Sequence, residues 1–559
     1  MLIYLTQSSE IDPRPRLAEL ARALASGDPI SVERARELLI DYGELEAAVL
    51  DAHHPARDDE DELSRRWREG AETLGRLFCR ALAARPSGEL LLGAAKIVGA
   101  LGRGPLPRRV PLRPPEGYAH YGLYPEQYVD AAQTMARAIG PAEVVCVGLR
   151  SIGTSLSAAF AGALLEAGLS VLSYTARPRG APDDRTLRFG ERLERALAPA
   201  GRDRWYAIVD EGPGLSGSSL CGAARALEEL GAPAHRVALV PSWDADASGF
   251  SSPAARQRWP RHRRFVGRFD PARLIDAPTL DWSAGAWRAH LPALSDIAVQ
   301  PEHERRKYLD PEKRALHRFV GLGRHGRVRR ARAEALAHAG FGAAPLELAH
   351  GLLALPLSPG RPASPGAADG LLLETIARYL AFVRRRFACS EEPTALDELV
   401  ATNVPALLGE DGARALGPIE CALARPGPAA VLDGRMLAHE WLSTPTGWRK
   451  VDALEHGDDH FYPGRPQDPV WDLAAAIVEL RLDGQAAAEL TRSYAQKSGD
   501  RRAARRLPAL TVAYLAFRGG YATVAAERLR GTADGARFTR ERGRYLAGLR
   551  RALALAGRA

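Results

Sequence analysis

The chain has 559 residues, 46% of them hydrophobic and 26% charged, with a formal net charge of +8. Its length exceeds what one hydrophobic core organises, so about three or four domains are expected. No apolar run reaches the roughly 18 residues a membrane-spanning helix needs, and the start MLIYLTQSSEIDPRP carries no basic leader, so a soluble cytoplasmic protein is expected and a membrane is excluded as a partner.

The basic excess is almost all arginine, with lysine only at Lys96, Lys307, Lys313, Lys450 and Lys497. That skew fits a GC-rich coding sequence better than a nucleic-acid surface. The basic runs at 258–264, 324–332 and 501–506 are not interleaved with aromatics, so they read as solvated faces or phosphate sites, and nucleic acid is not an expected partner. Cys79, Cys146, Cys221, Cys389 and Cys421 are scattered singly, the pattern of reduced thiols and not of a disulfide framework or zinc site.

Residues 1–115 are expected to form a helical cap, because segments such as RPRLAELARALASG and DELSRRWREGAETLGRLFCRALAAR repeat apolar residues every three or four positions. The acidic run Asp58-Asp59-Glu60-Asp61-Glu62 precedes one of these helices and suits the positive end of its dipole; no chemistry is assigned to it. Residues 101–127, rich in Pro and Gly, read as a linker. Tyr118, Tyr121, Tyr124 and Tyr128 either stack in an acceptor pocket or pack, packing being the commoner fate of aromatics.

Residues 116–280 repeat strand–loop–helix units, which implies a doubly wound parallel sheet with ligands at the carboxyl ends of its strands. The strand YAIV ends in Asp210-Glu211 and is followed by a Gly/Pro/Ser loop and the helix SLCGAARALEEL. Glycines there let backbone N–H groups approach an anion, and Ser216, Ser218 and Ser219 add donors. Paired acids suit the two hydroxyls of a ribose, and the loop suits a 5′-phosphate. This segment resembles the phosphoribosyltransferase signature that binds 5-phosphoribosyl 1-diphosphate (PRPP), although its Gly212-Pro213-Gly214 spacer is one residue longer than usual.

The resemblance implies Asp210 and Glu211 on the ribose and Mg²⁺, with Gly214, Ser216, Gly217, Ser218 and Ser219 on the phosphate. It also implies Arg150, Ser151 and Gly153 on the departing diphosphate, and a basic flap with Arg177 and Arg179, behind which stand Arg185 and Arg188. The acceptor would be an unidentified, base-like molecule. A looser likeness is to the phosphoribosyltransferases of bacterial tellurite-resistance and stress clusters.

Residues 295–559 carry Gln467-Asp468-Pro469-Val470-Trp471-Asp472-Leu473-Ala474, Asp452 after the strand WRKV, and Asp433 in the loop before it. With these elements, and with Asp433 in the place of a catalytic-loop acid, the segment resembles the α+β kinases of the aminoglycoside-phosphotransferase and choline-kinase type. It implies ATP and Mg²⁺, with Asp452 and Glu440 as metal ligands, Lys307 as the phosphate lysine and Glu334 as its partner. His-Gly-Asp is absent before the loop, and His439-Glu440 stands where Asn is expected. His456, Asp458, Asp459 and His460 form an insert that is either a further site or a solvated loop. Gly321–Gly326 fits a Gly-rich loop only formally, and residues 353–370 read as a hinge between lobes. An active kinase and a non-catalytic scaffold both stand, the latter paired with a PRPP or nucleotide sensor. The oligomeric state is not encoded in any of these patterns.

Overall fold

The computed structural model describes residues 1–5, 8–25, 30–199, 203–425, 427–454 and 459–556. The chain divides into two compact units. One comprises residues 8–274 with 321–324; the other comprises residues 1–7, 275–320 and 325–559.

In the first unit an antiparallel pair, β1 (Ser9–Ile11) with β2 (Val110–Leu112), brackets helices α1 (Pro13–Ala25), α2 (Val32–His53), α3 (Glu62–Leu82) and α4 (Gly88–Arg103). Local chemistry starts these helices where the sequence says. Ser31 caps α2 by accepting the Arg34 N–H at 3.1 Å, and Asp61, from the acidic run, caps α3 by accepting the Ser64 N–H at 2.9 Å. A single wide turn, Gly117–Tyr121, leads into α5 (Pro125–Ile139).

The α/β part follows as β3 (Glu143–Leu149), α6 (Gly153–Glu166), β4 (Ser170–Ala176), a hairpin β5 (Arg179–Ala181) and β6 (Asp184–Thr186), α7 (Glu191–Leu197), β7 (Arg204–Val209), α8 (Ser218–Glu229), β8 (Val237–Val240), α9 (Pro253–Arg258) and β9 (Arg263–Arg264). The sheet order is β4-β3-β7-β8-β9 and every pairing is parallel. β7 is buried at every position, which is why its sequence is an unbroken apolar and aromatic run after Arg204. The helix α6 is buried almost throughout because α3 crosses its outer face. The backbones meet at Gly75 and Gly162, where a Cβ on Gly75 would lie 2.0 Å from the Ala158 carbonyl oxygen. The N-terminal helices therefore pack directly on the α/β layer, within the same compact unit.

The second unit opens on an antiparallel sheet in the order β10-β11-β12-β14-β13, from β10 (Leu280–Asp281), β11 (Lys307–Asp310), β12 (Ala315–Phe319), β13 (Glu347–Ala349) and β14 (Leu352–Pro356), with α10 (Arg324–His338) between β12 and β13. Beyond β15 (Arg361–Pro362), the helix α11 (Gly370–Arg386) starts on Asp369, which accepts the Leu372 N–H at 2.6 Å. There follow β16 (Ala388–Cys389), α12 (Asp397–Leu408), α13 (Glu410–Arg414), α14 (Gly417–Leu423), β17 (Ala429–Ala430), the hairpin β18 (Trp441–Thr444) and β19 (Gly447–Lys450), and helices α15 (Val470–Glu479), α16 (Gly484–Ser498), α17 (Ala503–Arg528) and α18 (Ala533–Ala556). The expected basic surface at 324–332 is partly internal: Arg329 donates to the Val320 carbonyl at 2.7 Å and Arg332 to the carbonyls of Ala453 and Val431 at 2.7 and 2.9 Å. Guanidinium forks here donate to main-chain carbonyls inside the unit.

Candidate functional site

In the parallel sheet the chain runs from β3 outward to β4 on one side, then returns to β7 on the other, so β3 and β7 flank the topological switch point. Such a point leaves a crevice beyond the strand ends. The loop after β3 holds Arg150, Ser151 and Gly153, and the loop after β7 holds Asp210 through Gly217. They touch: a Cβ on Gly153 would lie 2.8 Å from the Val209 carbonyl oxygen and 3.3 Å from Asp210 Oδ1. Ser151 sits at φ 150°, a conformation few non-glycine residues adopt.

Asp210 and Glu211 are half-buried neighbours. The Tyr128 hydroxyl donates to the Asp210 carbonyl at 2.7 Å, Asp210 Oδ1 accepts the Glu211 N–H at 2.9 Å, and Glu211 Oε2 accepts the Gly117 N–H at 3.2 Å. Burial pushes the Asp210 carboxyl up to about 7; burial, with the charges of Glu116 and Asp210, pushes Glu211 up to about 8. Two acids held this way favour a ligand that supplies hydroxyl donors or a cation. The donor set therefore fits a divalent ion, which Asp210 and Glu211 would hold. Tyr118, Tyr124 and Tyr128 are buried; Tyr118 shares a 2.9 Å hydrogen bond with Ser155, and Tyr124 lies under the Arg36 guanidinium. They belong to the core beneath the crevice.

Arg150 is 2% exposed and is ion-paired to Asp51 at 3.1 Å and to Asp58. Arg177 pairs with Asp51 and its N–H donates to Asp58 Oδ2 at 2.9 Å; Arg179 meets the two oxygens of Asp58 at 2.6 and 3.2 Å. Arg150, expected on the diphosphate, and Arg177 and Arg179, expected in the basic flap, are thus gathered in one place, on two carboxylates from the end of α2 and the turn after it. The acidic run supplies one of these, Asp58, to which its sequence context assigned only a helix-dipole role. Arg185 instead donates to the Gly180 carbonyl of its own hairpin at 2.6 Å, and the Arg188 carbonyl accepts the Asp58 N–H at 2.8 Å.

The loop before α8 is also occupied: Ser216 and Ser218 hydroxyls donate to the Pro182 carbonyl at 2.9 and 2.6 Å, with Gly217 at φ 65°. Gly214 is exposed and Ser219 half-buried on the first turn of α8. A polar cavity of about 20 Å³, space for one water, lies behind Arg150, between Glu46, Asp58, Thr154 and Ser157.

In the second unit Asp472, the acid of the VWDLA helix, accepts the N–H groups of Asp433 and Gly434 at 3.0 and 2.9 Å, fixing that loop from below. Asp433 is 1% exposed, accepts the Tyr379 hydroxyl at 2.9 Å and lies 3.0 Å from the Lys450 ammonium. The expectation of Asp433 beside an acceptor hydroxyl is therefore not met: it is enclosed and charge-paired. Lys450 lies 2.7 Å from Glu440 and donates to the carbonyls of Val451 and Asp452 at 3.2 and 3.0 Å. Asp452 pairs with Arg318 at 2.5 Å.

Lys307 does not meet Glu334: it pairs with Glu304 at 2.5 Å, while Glu334 pairs with Arg330 at 2.8 Å. The buried basic side chain on β12 is Arg318, and it pairs with Asp452. Gly321–Arg324 belongs with the first unit, Arg324 donating to Glu44 at 3.1 Å, and is no nucleotide loop over the second unit's sheet. Asp459 pairs with Arg305 at 2.8 Å and with His460 at 2.7 Å, whereas His456 and Asp458 lie outside the described residues.

No protein-family model and no curated protein matches the chain. Among solved structures, a choline/ethanolamine kinase family protein from Mesorhizobium loti is 18% identical, covering 44% of this chain and 90% of its own at a TM-score of 0.31. The choline kinase LicA from Streptococcus pneumoniae is 14% identical, covering 48% of this chain and 98% of its own at a TM-score of 0.33. A macrolide 2′-phosphotransferase from Brachybacterium faecium is 17% identical, covering 44% and 88% at a TM-score of 0.28. Among the described residues, no helix is long and apolar enough to cross a membrane.

Proposed function

We propose that the first unit binds PRPP at the switch point between β3 and β7 and transfers its phosphoribosyl group to a nitrogenous base. The observation that carries this reading is the meeting of three loops at one sheet edge: an acid pair suited to a ribose diol, a Gly/Ser loop at the start of α8 suited to a 5′-phosphate, and an arginine cluster suited to diphosphate. Asp210 and Glu211 take the ribose hydroxyls and a Mg²⁺ ion, whose part is to neutralise the leaving diphosphate. Gly214, Ser216, Gly217, Ser218 and Ser219 take the 5′-phosphate; Arg150, Ser151, Gly153, Arg177 and Arg179 take the diphosphate.

The anomeric C–O bond breaks, its electron pair leaving with diphosphate, and the base nitrogen forms the new C–N bond and gives its proton to solvent. Positioning and electrostatic stabilisation carry such a step. For this the arginines exchange Asp51 and Asp58 for diphosphate oxygens, and the serines exchange Pro182 for the phosphate.

Those same internal contacts favour a second reading, a sensor that binds PRPP without turnover. Calorimetric titration of Mg²⁺-PRPP into wild type and into Asp210→Asn/Glu211→Gln tests the site. Binding lost in the double variant supports it, and no binding to wild type sinks both readings. Diphosphate release with a panel of bases then separates transferase from sensor. For the second unit, the architecture around Asp472 supports a phosphotransferase-type fold with ATP as the candidate nucleotide; Asp433, Asp452, Glu440 and Lys307 are not placed for Mg²⁺-dependent transfer.

A further inference from the structure

Phosphotransferases of the kinase class use oxygen ligands to hold Mg²⁺ across the nucleotide phosphates, and a catalytic-loop acid to accept the acceptor's proton. In the second unit the acids at the ligand places, Glu440 and Asp452, are already paired with basic side chains, and the proton acceptor's place holds one. Lys450 is 3% exposed and its ammonium is surrounded by Glu440 Oε2 at 2.7 Å, Asp433 Oδ2 at 3.0 Å, and the carbonyl oxygens of Asp452 and Val451 at 3.0 and 3.2 Å. Four oxygens around one buried positive charge is the environment of a hard cation. The remaining candidate ligand, Asp452, has its carboxylate on Arg318, itself 5% exposed.

The third place is set by spacing. A kinase catalytic loop puts its acid five residues before its metal-binding Asn. Counting back from Glu440 reaches Arg435, not Asp433, which stands seven residues before Glu440 and is held by Lys450; the Arg435 guanidinium lies 5.3 Å from the ring centre of Tyr521 and 5.8 Å from that of Phe461. A guanidinium stays protonated at any working pH, so it cannot accept a proton from an acceptor hydroxyl. The residues present do not fit Mg²⁺.

We infer that Lys450 is the resident cation of this site, with Arg318 as the counter-charge of Asp452, so that the second unit recruits no divalent metal and performs no metal-dependent phosphoryl transfer. One such pairing alone would be drift; Lys450 on Glu440 and Asp433, Arg318 on Asp452, and Arg435 at the proton acceptor's place together make a site complete without an ion. The inference is independent of the PRPP reading, which concerns the other unit.

The test is direct Mn²⁺ binding, followed by electron paramagnetic resonance, in protein carrying Asp210→Asn/Glu211→Gln and His53→Ala/His54→Ala, so that neither the acid pair nor the His53–His54–Asp61 group of the first unit contributes metal. No stoichiometric Mn²⁺ uptake at millimolar metal is expected, and a non-hydrolysable ATP analogue should give the same thermal shift in EDTA as in Mg²⁺, or none in either. In the same background Lys450→Met leaves Asp433 and Glu440 without their cation and is expected to gain one Mn²⁺ per chain and a Mn²⁺-dependent rise in melting temperature; Lys450→Arg gains neither. If Lys450→Met does not fold without metal, its recovery on refolding with Mn²⁺ but not without it counts the same way, and failure in both overturns the inference. Stoichiometric Mn²⁺ in the Lys450-containing protein that is lost in Glu440→Gln or Asp452→Asn also overturns it.

Discussion

Asp58 ties the arginine cluster of the first unit together, because its two oxygens serve Arg150, Arg179 and the Arg177 backbone. Burial lowers Arg150 toward about 10, the sign of a guanidinium held out of water and dependent on its partners. Asp58→Asn removes one of the pair's charges and leaves Arg150 buried beside Asp51 alone. Breaking a buried pair this way costs about 3–5 kcal/mol, so a clear fall in melting temperature is expected. Added diphosphate should restore much of it, giving a larger thermal shift in the variant than in wild type. Equal shifts in the two proteins would mean that the cluster is purely structural and receives no anion.

At the scale of elements, the contact between α3 and α6 is what brings the N-terminal helices, and with them Asp51 and Asp58, onto the loop after β3. It rests on backbone approach at Gly75 and Gly162. A methyl at Gly75 has no room, since the obstacle is the Ala158 carbonyl and not a side chain that can turn away. Gly75→Ala is expected to destabilise by about 1–3 kcal/mol, the range for overpacking, read as a lower denaturant midpoint. An unchanged midpoint would show that the helices separate more easily than this crossing implies. The strands, loops and helices on either side of the candidate site were legible in the sequence because each is a local unit. A buried strand ending in acids, a glycine-bearing turn and an alanine-rich helix leave their marks within 206–229. The hairpin over the Gly/Ser loop was legible only as a basic flap, since its carbonyl contact to Ser216 and Ser218 involves Pro182, which carries no chemical signature.

Over the whole molecule, the five thiols are free and differ sharply in surroundings: Cys79, Cys146 and Cys221 are buried, Cys389 is partly covered and Cys421 is exposed. Burial pushes the Cys79 and Cys221 thiols up to about 12 and Cys146 higher still, so little thiolate exists at neutral pH. Titration with a disulfide reagent should therefore find one fast thiol, a slower second, and three that react only on unfolding. A Cys421→Ser variant should lose the fast phase, and its persistence would contradict the burial pattern. The net charge of +8 likewise reads differently in three dimensions. Many arginines are internal counter-ions, Arg506 bridging Asp468 and Asp500 for example, and do not form an open basic face.

By itself the sequence determined the parallel strand–helix repeats, the acid pair and Gly/Ser loop after β7, the arginine after β3, and the Asp472 helix start, because short-range spacing specifies each of them. Only the tertiary structure decided what those groups face. Arg177 meets Asp51 across 126 residues of chain, and Lys450 meets Glu440 across ten through a hairpin turn. Charge type says which partners attract, but burial and distance choose among 76 basic and 68 acidic residues, and those are set by how the helices and sheets pack.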